Sequence, residues 1–291
     1  MKYRNIMPML LAAGMATTSC STMQRINVIP TYKEIEIGAE TSKEIESKIK
    51  IYRDTLVVNY IKDLGKEIAS HSPRQNVRYQ FKVVDTPTIN AFAVPGGWLY
   101  VNLGLIALTE SESELAGVIG HEIAHVAKKH GARQMTTFYG LSFMFELVQN
   151  LQIKARSIVS WFLNVGGTMT LLKYSRDMET EADKVGVNMV HKTGIDPNGM
   201  IGFFEKMKAK QAKNPGWAEN LLSTHPTTTS RISSVNEEVK KFKAIKIKHN
   251  TPRYDKVRKH VRKYLEFDKA PAKSKKKGKI ITAINPTVRI K

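Results

Sequence analysis

One cysteine in 291 residues rules out an internal disulfide, so this chain must hold together by packing and hydrogen bonding alone. Acidic residues are also scarce: 26 stand against 46 basic ones, for a formal net charge of +20. No apolar run reaches the ~20 residues that a membrane-spanning helix needs. The two most apolar segments, Phe138 to Val148 and Ile158 to Leu172, are interrupted or separated by Glu146, Lys154 and Arg156. No internal repeat appears.

The basic excess is uneven. Most of it lies beyond residue 241. There, Arg253 to Phe267 reads as a basic amphipathic helix. Ala270 to Lys279, with its Lys275-Lys276-Lys277 run, offers too little apolar surface to pack. The charge therefore describes a basic C-terminal tail, residues 242–291. Such a tail attracts phosphate backbones, but the first residues of the chain carry an export signal. Anionic lipid head groups or lipopolysaccharide are its expected counter-surface, and no nucleic-acid partner is expected.

That signal is residues 1–19. Lys2 and Arg4 precede an apolar stretch from Ile6 to Ala16, and Thr17-Thr18-Ser19 is a small-residue run. Cys20 follows. A signal peptide ending at a lone cysteine looks like a bacterial lipoprotein signal, with Cys20 as the lipidated residue and 20–32 as a tether; Thr17 departs from the usual Leu. The expected location is the cell envelope, as an outer-membrane lipoprotein facing the periplasm, with a soluble periplasmic protein as the alternative.

The chemistry is concentrated in Val118-Ile119-Gly120-His121-Glu122-Ile123-Ala124-His125-Val126. His121 and His125 are four residues apart, so one helical face presents both imidazoles to a single metal ion. Zinc suits imidazole and carboxylate in an open site. Glu122 stands beside them, placed to accept a proton. Ile119, Ile123 and Val126 form an apolar stripe that sets the helix against a core.

Two spacings for a third ligand can be tested. The metzincin pattern fails, because Lys128 and Gly131 occupy the positions it needs for Gly and His. His130, nine residues after His121, is expected to point the other way on a continuing helix. The gluzincin pattern needs a later Glu, and Tyr174-Ser175-Arg176-Asp177-Met178-Glu179-Thr180-Glu181-Ala182-Asp183 supplies Glu179. Asp183, one turn on, can accept the free ring N–H of a ligand histidine. Glu181 falls between them and is expected to be a solvated charge.

His-Glu-Ile-Ala-His-Val followed by this acidic segment resembles the M48 family of zinc metallopeptidases, in its bacterial periplasmic and outer-membrane branch related to the mitochondrial Oma1-type enzymes. Asn90-Ala91-Phe92-Ala93-Val94-Pro95-Gly96-Gly97, Ser223-Thr224-His225-Pro226 and Arg231-Ile232 agree with it, over about Ile45 to Val239. The resemblance implies an α+β fold, a mainly helical zincin-like (gluzincin) domain over 33–241 with a small sheet beside the active-site helix. It implies a zinc endopeptidase with one Zn2+ per chain, held by His121, His125 and Glu179. Glu122, Asp183 and His225 are its implied catalytic group, His225 as an oxyanion stabiliser or a fourth ligand. Asn90, Phe92, Gly96, Gly97 and Arg231 are implied substrate-binding elements; Arg231, six residues after His225, could instead pair with a site carboxylate or hold that loop. Unfolded or misassembled envelope proteins are the implied substrates, in a quality-control role. A membrane-attached chaperone or assembly factor using the same cleft is the alternative.

Around this centre, Thr31 to Ser70 reads as helix and Val77 to Val84 as a strand. Pro95-Gly96-Gly97 reads as a hairpin turn. Residues 138–172, with Gly166-Gly167, read as a lid or membrane-facing helical hairpin. Ser175 to His191 reads as the ligand helix, ended by Thr193-Gly194.

Overall fold

The computed structural model describes residues 27, 29–137, 174–214, 216, 218–243 and 246–267. The signal segment, Cys20, the expected hairpin at 138–172 and the Lys275-Lys276-Lys277 run lie outside the described residues. Among those described, no helix is long and apolar enough to cross a membrane.

The long N-terminal helix expected from 31 to 70 is two helices, α1 (Thr31–Lys48) and α2 (Thr55–Ala69). The break has a local cause. Asp54 caps α2 by accepting from the Leu56 and Val57 amides, at 2.9 and 3.3 Å. Just before it, Ile51 and Tyr52 run extended beside the sheet, and the Tyr52 amide donates to the Val83 carbonyl at 2.8 Å. α2 turns Val57, Ile61, Leu64 and Ile68 inward, and all four are buried. Each such side chain contributes about 1.5–3 kcal/mol on burial.

The sheet is small and mixed. β1 (Gln80–Val84) lies parallel to β3 (Trp98–Asn102), and β2 (Ala91–Val94) lies antiparallel to β3, giving the order β1-β3-β2. β1 starts three residues later than its alternating pattern suggests. Gly96 and Gly97 make the β2–β3 turn with φ of 80° and 109°, a region open to glycine and costly for other residues.

A short buried helix, α3 (Leu103–Leu108), leads into α4 (Glu112–Ala127). Ser111 caps α4 by accepting from the Glu114 amide, as the acidic first turn suggests. α4 is buried along its whole length but its last residue. Residues 130–137 are helical again. Then come α5 (Arg176–Lys192), α6 (Asn198–Lys213), α7 (Glu219–Thr224), α8 (Thr229–Val239) and α9 (Pro252–Tyr264).

α4 and α5 cross at two glycines. A Cβ on Gly186 would lie 2.9 Å from the His121 amide nitrogen, and one on Gly120 would lie 3.0 Å from the Gly186 carbonyl oxygen. Only bare backbone lets the helices come this close, and the crossing sits directly at a candidate ligand.

Residues on both sides of the expected domain pack against it. Ile29, assigned to the tether, is buried, and so are Tyr254, Val257 and Val261 of α9, assigned to the tail. The Tyr254 hydroxyl donates to the Thr109 carbonyl at 2.7 Å, and Arg262 donates to the Ala107 carbonyl at 2.8 Å. α9 is basic on its outer face, but its apolar stripe completes the core.

Candidate active site

His121 and His125 lie one turn apart on α4 and turn their Nε2 atoms toward each other, 2.9 Å apart. Glu179, in the first turn of α5, faces both: its carboxylate oxygens lie 3.5 Å from His121 Nε2 and 3.4 Å from His125 Nε2. His225, where α7 ends, brings Nδ1 to 3.2 Å from His121 Nε2 and 3.0 Å from Glu179 Oε1. One donor atom from each of these four buried residues falls within a single cluster.

This donor set fits zinc. A tetrahedral ion at 2.0–2.1 Å from its ligands sets them about 3.3 Å apart, and the separations here are 2.9 to 3.5 Å. Charge agrees. Burial works against a proton on His121, but hydrogen bonds to Asp183 and Glu179 outweigh it and hold that imidazole up, at about 9. The carboxylates thus call for positive charge where a cation would bind. Burial and the neighbouring His121 push His125 well below its usual range.

Asp183 is placed as its spacing suggests. Its Oδ1 lies 2.8 Å from His121 Nδ1, in a bent approach. Burial would raise its pKa, but hydrogen bonds from Arg231 and His121 lower it. Glu179 is likewise held well below the usual carboxylate range: burial opposes this, and His225 and His121 outweigh it.

Arg231 is buried, and it takes the carboxylate-pairing and loop-holding role expected as the alternative to meeting substrate. Its Nε and Nη2 each lie 2.7 Å from a different oxygen of Asp183, Nη1 lies 2.7 Å from Glu179 Oε2, and Nη1 also donates to the Pro226 carbonyl. It ties both α5 carboxylates to the loop that carries His225.

Glu122 is buried beside the cluster, and burial raises its pKa. A backbone hydrogen bond at Ala93 places it against β2. Phe92, one residue away, is buried and stacks on Tyr100 with ring centres 4.8 Å apart. Asn90 is buried just before β2, its carbonyl accepting from the Asn102 amide. Gly96 and Gly97 serve the turn. The Gly96 amide donates to Glu34 Oε1 at 3.2 Å, and the Gly97 carbonyl accepts from the Gln80 amide.

Three further residues surround His125 in ways that their spacing does not predict. His130 does not point away: α4 ends at Ala127, Lys129 takes a φ of 56°, and the chain doubles back so that His130 Nδ1 lies 2.8 Å from His125 Nδ1. Glu181 is not simply solvated, because it pairs with His130 and Arg133 at 3.1 and 2.9 Å. Tyr174 stacks on His125 with ring centres 4.0 Å apart. Tyr174 stands in the quoted acidic segment, but nothing in its spacing assigns it to His125.

A small pocket opens next to His121 and Glu122, walled mainly by Val118, Met200, Phe203, Phe204 and Leu221.

The sequence pattern of peptidase family M48 matches residues 56–239, which hold every residue of this cluster. The chain belongs to peptidase family M48. It is 27% identical to the beta-barrel assembly-enhancing protease of Yersinia pestis over 218 residues, covering 72% of this chain and 45% of that one. It is 30% identical to the mitochondrial metalloendopeptidase OMA1 of Schizosaccharomyces pombe over 224 residues, covering 75% and 64%. It is 26% identical to the metalloprotease YcaL of Escherichia coli over 194 residues, covering 61% and 75%. This M48 chain spans about half the length of the beta-barrel assembly-enhancing proteases it matches.

Proposed function

We propose that this M48 chain is a zinc-dependent endopeptidase that hydrolyses unfolded or misassembled proteins of the cell envelope. One observation carries the reading: Glu122 Oε1 is buried beside the donor cluster and accepts no hydrogen bond among the described residues. His225 Nε2 stands 3.6 Å from it, too far for a hydrogen bond, and leaves that oxygen able to take a proton, as a general base must.

His121, His125 and Glu179 would hold the ion, with Asp183 fixing the His121 ring. A bound zinc supplies Lewis acidity and lowers the pKa of a water towards ~7. Glu122 accepts the proton of the attacking water and passes it to the departing amine. Its buried setting raises its proton affinity, which favours the first of these transfers. His225 belongs to the donor cluster and reads as a fourth donor that must yield for substrate to enter. The outer edge of β2, beside Glu122, suits an extended peptide added as a further strand, which reads backbone and leaves side-chain preference weak. The apolar pocket then supplies such preference as there is.

The envelope location rests on the export signal and on relatives named for β-barrel assembly. Lipidation at Cys20 would anchor the chain there. The test is zinc content and cleavage of an unfolded protein by the chain. One zinc per chain, with cleavage lost to a chelator and restored by zinc, supports the proposal. Zinc with client binding but no cleavage favours the assembly-factor alternative.

A further inference from the structure

The two histidine ligands are held in different ways. His121 meets the carboxylate of Asp183 directly. His125 meets a second imidazole, with its Nδ1 2.8 Å from His130 Nδ1. Two ring nitrogens at that distance share one proton, and the metal site decides which of them carries it.

A neutral imidazole that gives its Nε2 lone pair to a cation carries its proton on Nδ1. His125 Nδ1–H is therefore the donor, and His130 Nδ1 is the acceptor. The His130 proton then sits on Nε2, which lies 3.1 Å from Glu181 Oε2. Glu181 is held in turn by Arg133 at 2.9 Å and Lys128 at 3.3 Å. Every tautomer along the chain follows from one condition at the metal.

The fold is bent to make this contact. Lys129 sits in the left-handed region, usually left to glycine, at a cost of about 1–2 kcal/mol. That single residue returns His130 beneath His125, where it is fully buried. Tyr174 closes the face of the His125 ring while His130 closes its edge.

We propose that His130 is a positioning residue: it fixes the tautomer and rotation of the ligand His125 and links that ligand, through Glu181, to the protein surface. The proposal rests on the zinc reading above. It makes Glu181, about a third exposed, the outer end of a Glu–His–His relay whose inner end is the ion.

Zinc affinity measured by competition with a chelating dye, and the visible spectrum of the Co2+-loaded full chain, test it. His130→Phe keeps an aromatic ring, somewhat larger than imidazole, and removes the acceptor, and should weaken zinc binding about 10–100-fold. His130→Asn places Oδ1 where Nδ1 was and should restore most of that affinity and the parent Co2+ spectrum. Glu181→Gln should give a smaller loss. Thermal unfolding of the metal-free variants checks folding, and if the Phe variant does not fold, the Asn and Gln variants decide. Variants that bind zinc as tightly as the parent, or an Asn variant no better than Phe, overturn the proposal. A parent that takes up no zinc overturns the zinc reading, and this relay with it.

Discussion

Arg231 grips Asp183 with two nitrogens, each 2.7 Å from a separate carboxylate oxygen, in a setting where both side chains are buried. The pair is the outer support of His121. Removing one partner strands the other's charge, so Arg231→Met should cost about 3–5 kcal/mol of stability. Asp183→Asn should cost less, because the amide oxygen still accepts from Arg231. Denaturant titration of both variants checks the order, and equal small losses would show that the clamp is not structural.

His225 brings Nδ1 into the same donor cluster as His121, His125 and Glu179. If it is a fourth donor that must yield to substrate, His225→Ala should keep zinc bound, more weakly, and raise the rate of cleavage. A fall in kcat with zinc retained would assign His225 to oxyanion stabilisation instead.

The α4–α5 crossing gives a third expectation. A Cβ at Gly186 would press on the His121 backbone at 2.9 Å, and backbone cannot swing aside. Gly186→Ala should cost about 1–3 kcal/mol and loosen zinc, because Glu179 and Asp183 ride on the displaced helix. An alanine variant that matches the parent in stability and zinc affinity would refute the close-crossing argument.

Alkaline stability follows from the tyrosines. Burial raises the pKa of Tyr60, with Glu112 adding to it, and burial raises that of Tyr254. A group whose folded pKa is raised contributes stability that is fully present below its unfolded pKa and is lost as pH rises toward the folded value. The unfolding temperature should therefore hold up to about pH 10 and fall above it. Tyrosinate absorbance from these two residues should appear together with unfolding. Its appearance in the intact fold would contradict their burial.

Much of the candidate site was legible because its parts share helical turns. His121 with His125, and Glu179 with Asp183, are each four residues apart, and a period of 3.6 puts such pairs on one face. His130 was not legible, since the nine-residue offset points it away only if the helix continues. α4 stops at Ala127, and a lysine rather than a glycine makes the reversing turn. Arg231 could be matched to a carboxylate by charge but not aimed, because its partners lie on another helix. The buried pair of Glu34 and Arg74, 2.7 Å apart across forty residues, leaves no local signal at all. α9 was legible as a basic amphipathic helix, but no local signal shows that its stripe of Tyr254, Val257 and Val261 packs on the core.

The central claim is that Glu122 moves the proton and does not hold the metal. Replacing it with glutamine keeps the size and removes the base. Zinc content and cleavage of an unfolded protein, measured side by side for the parent and Glu122→Gln, test this most directly. The predicted result is equal zinc in both, with cleavage in the variant lower by at least about 10²-fold. Cleavage that survives the change, or zinc that leaves with it, would contradict the account.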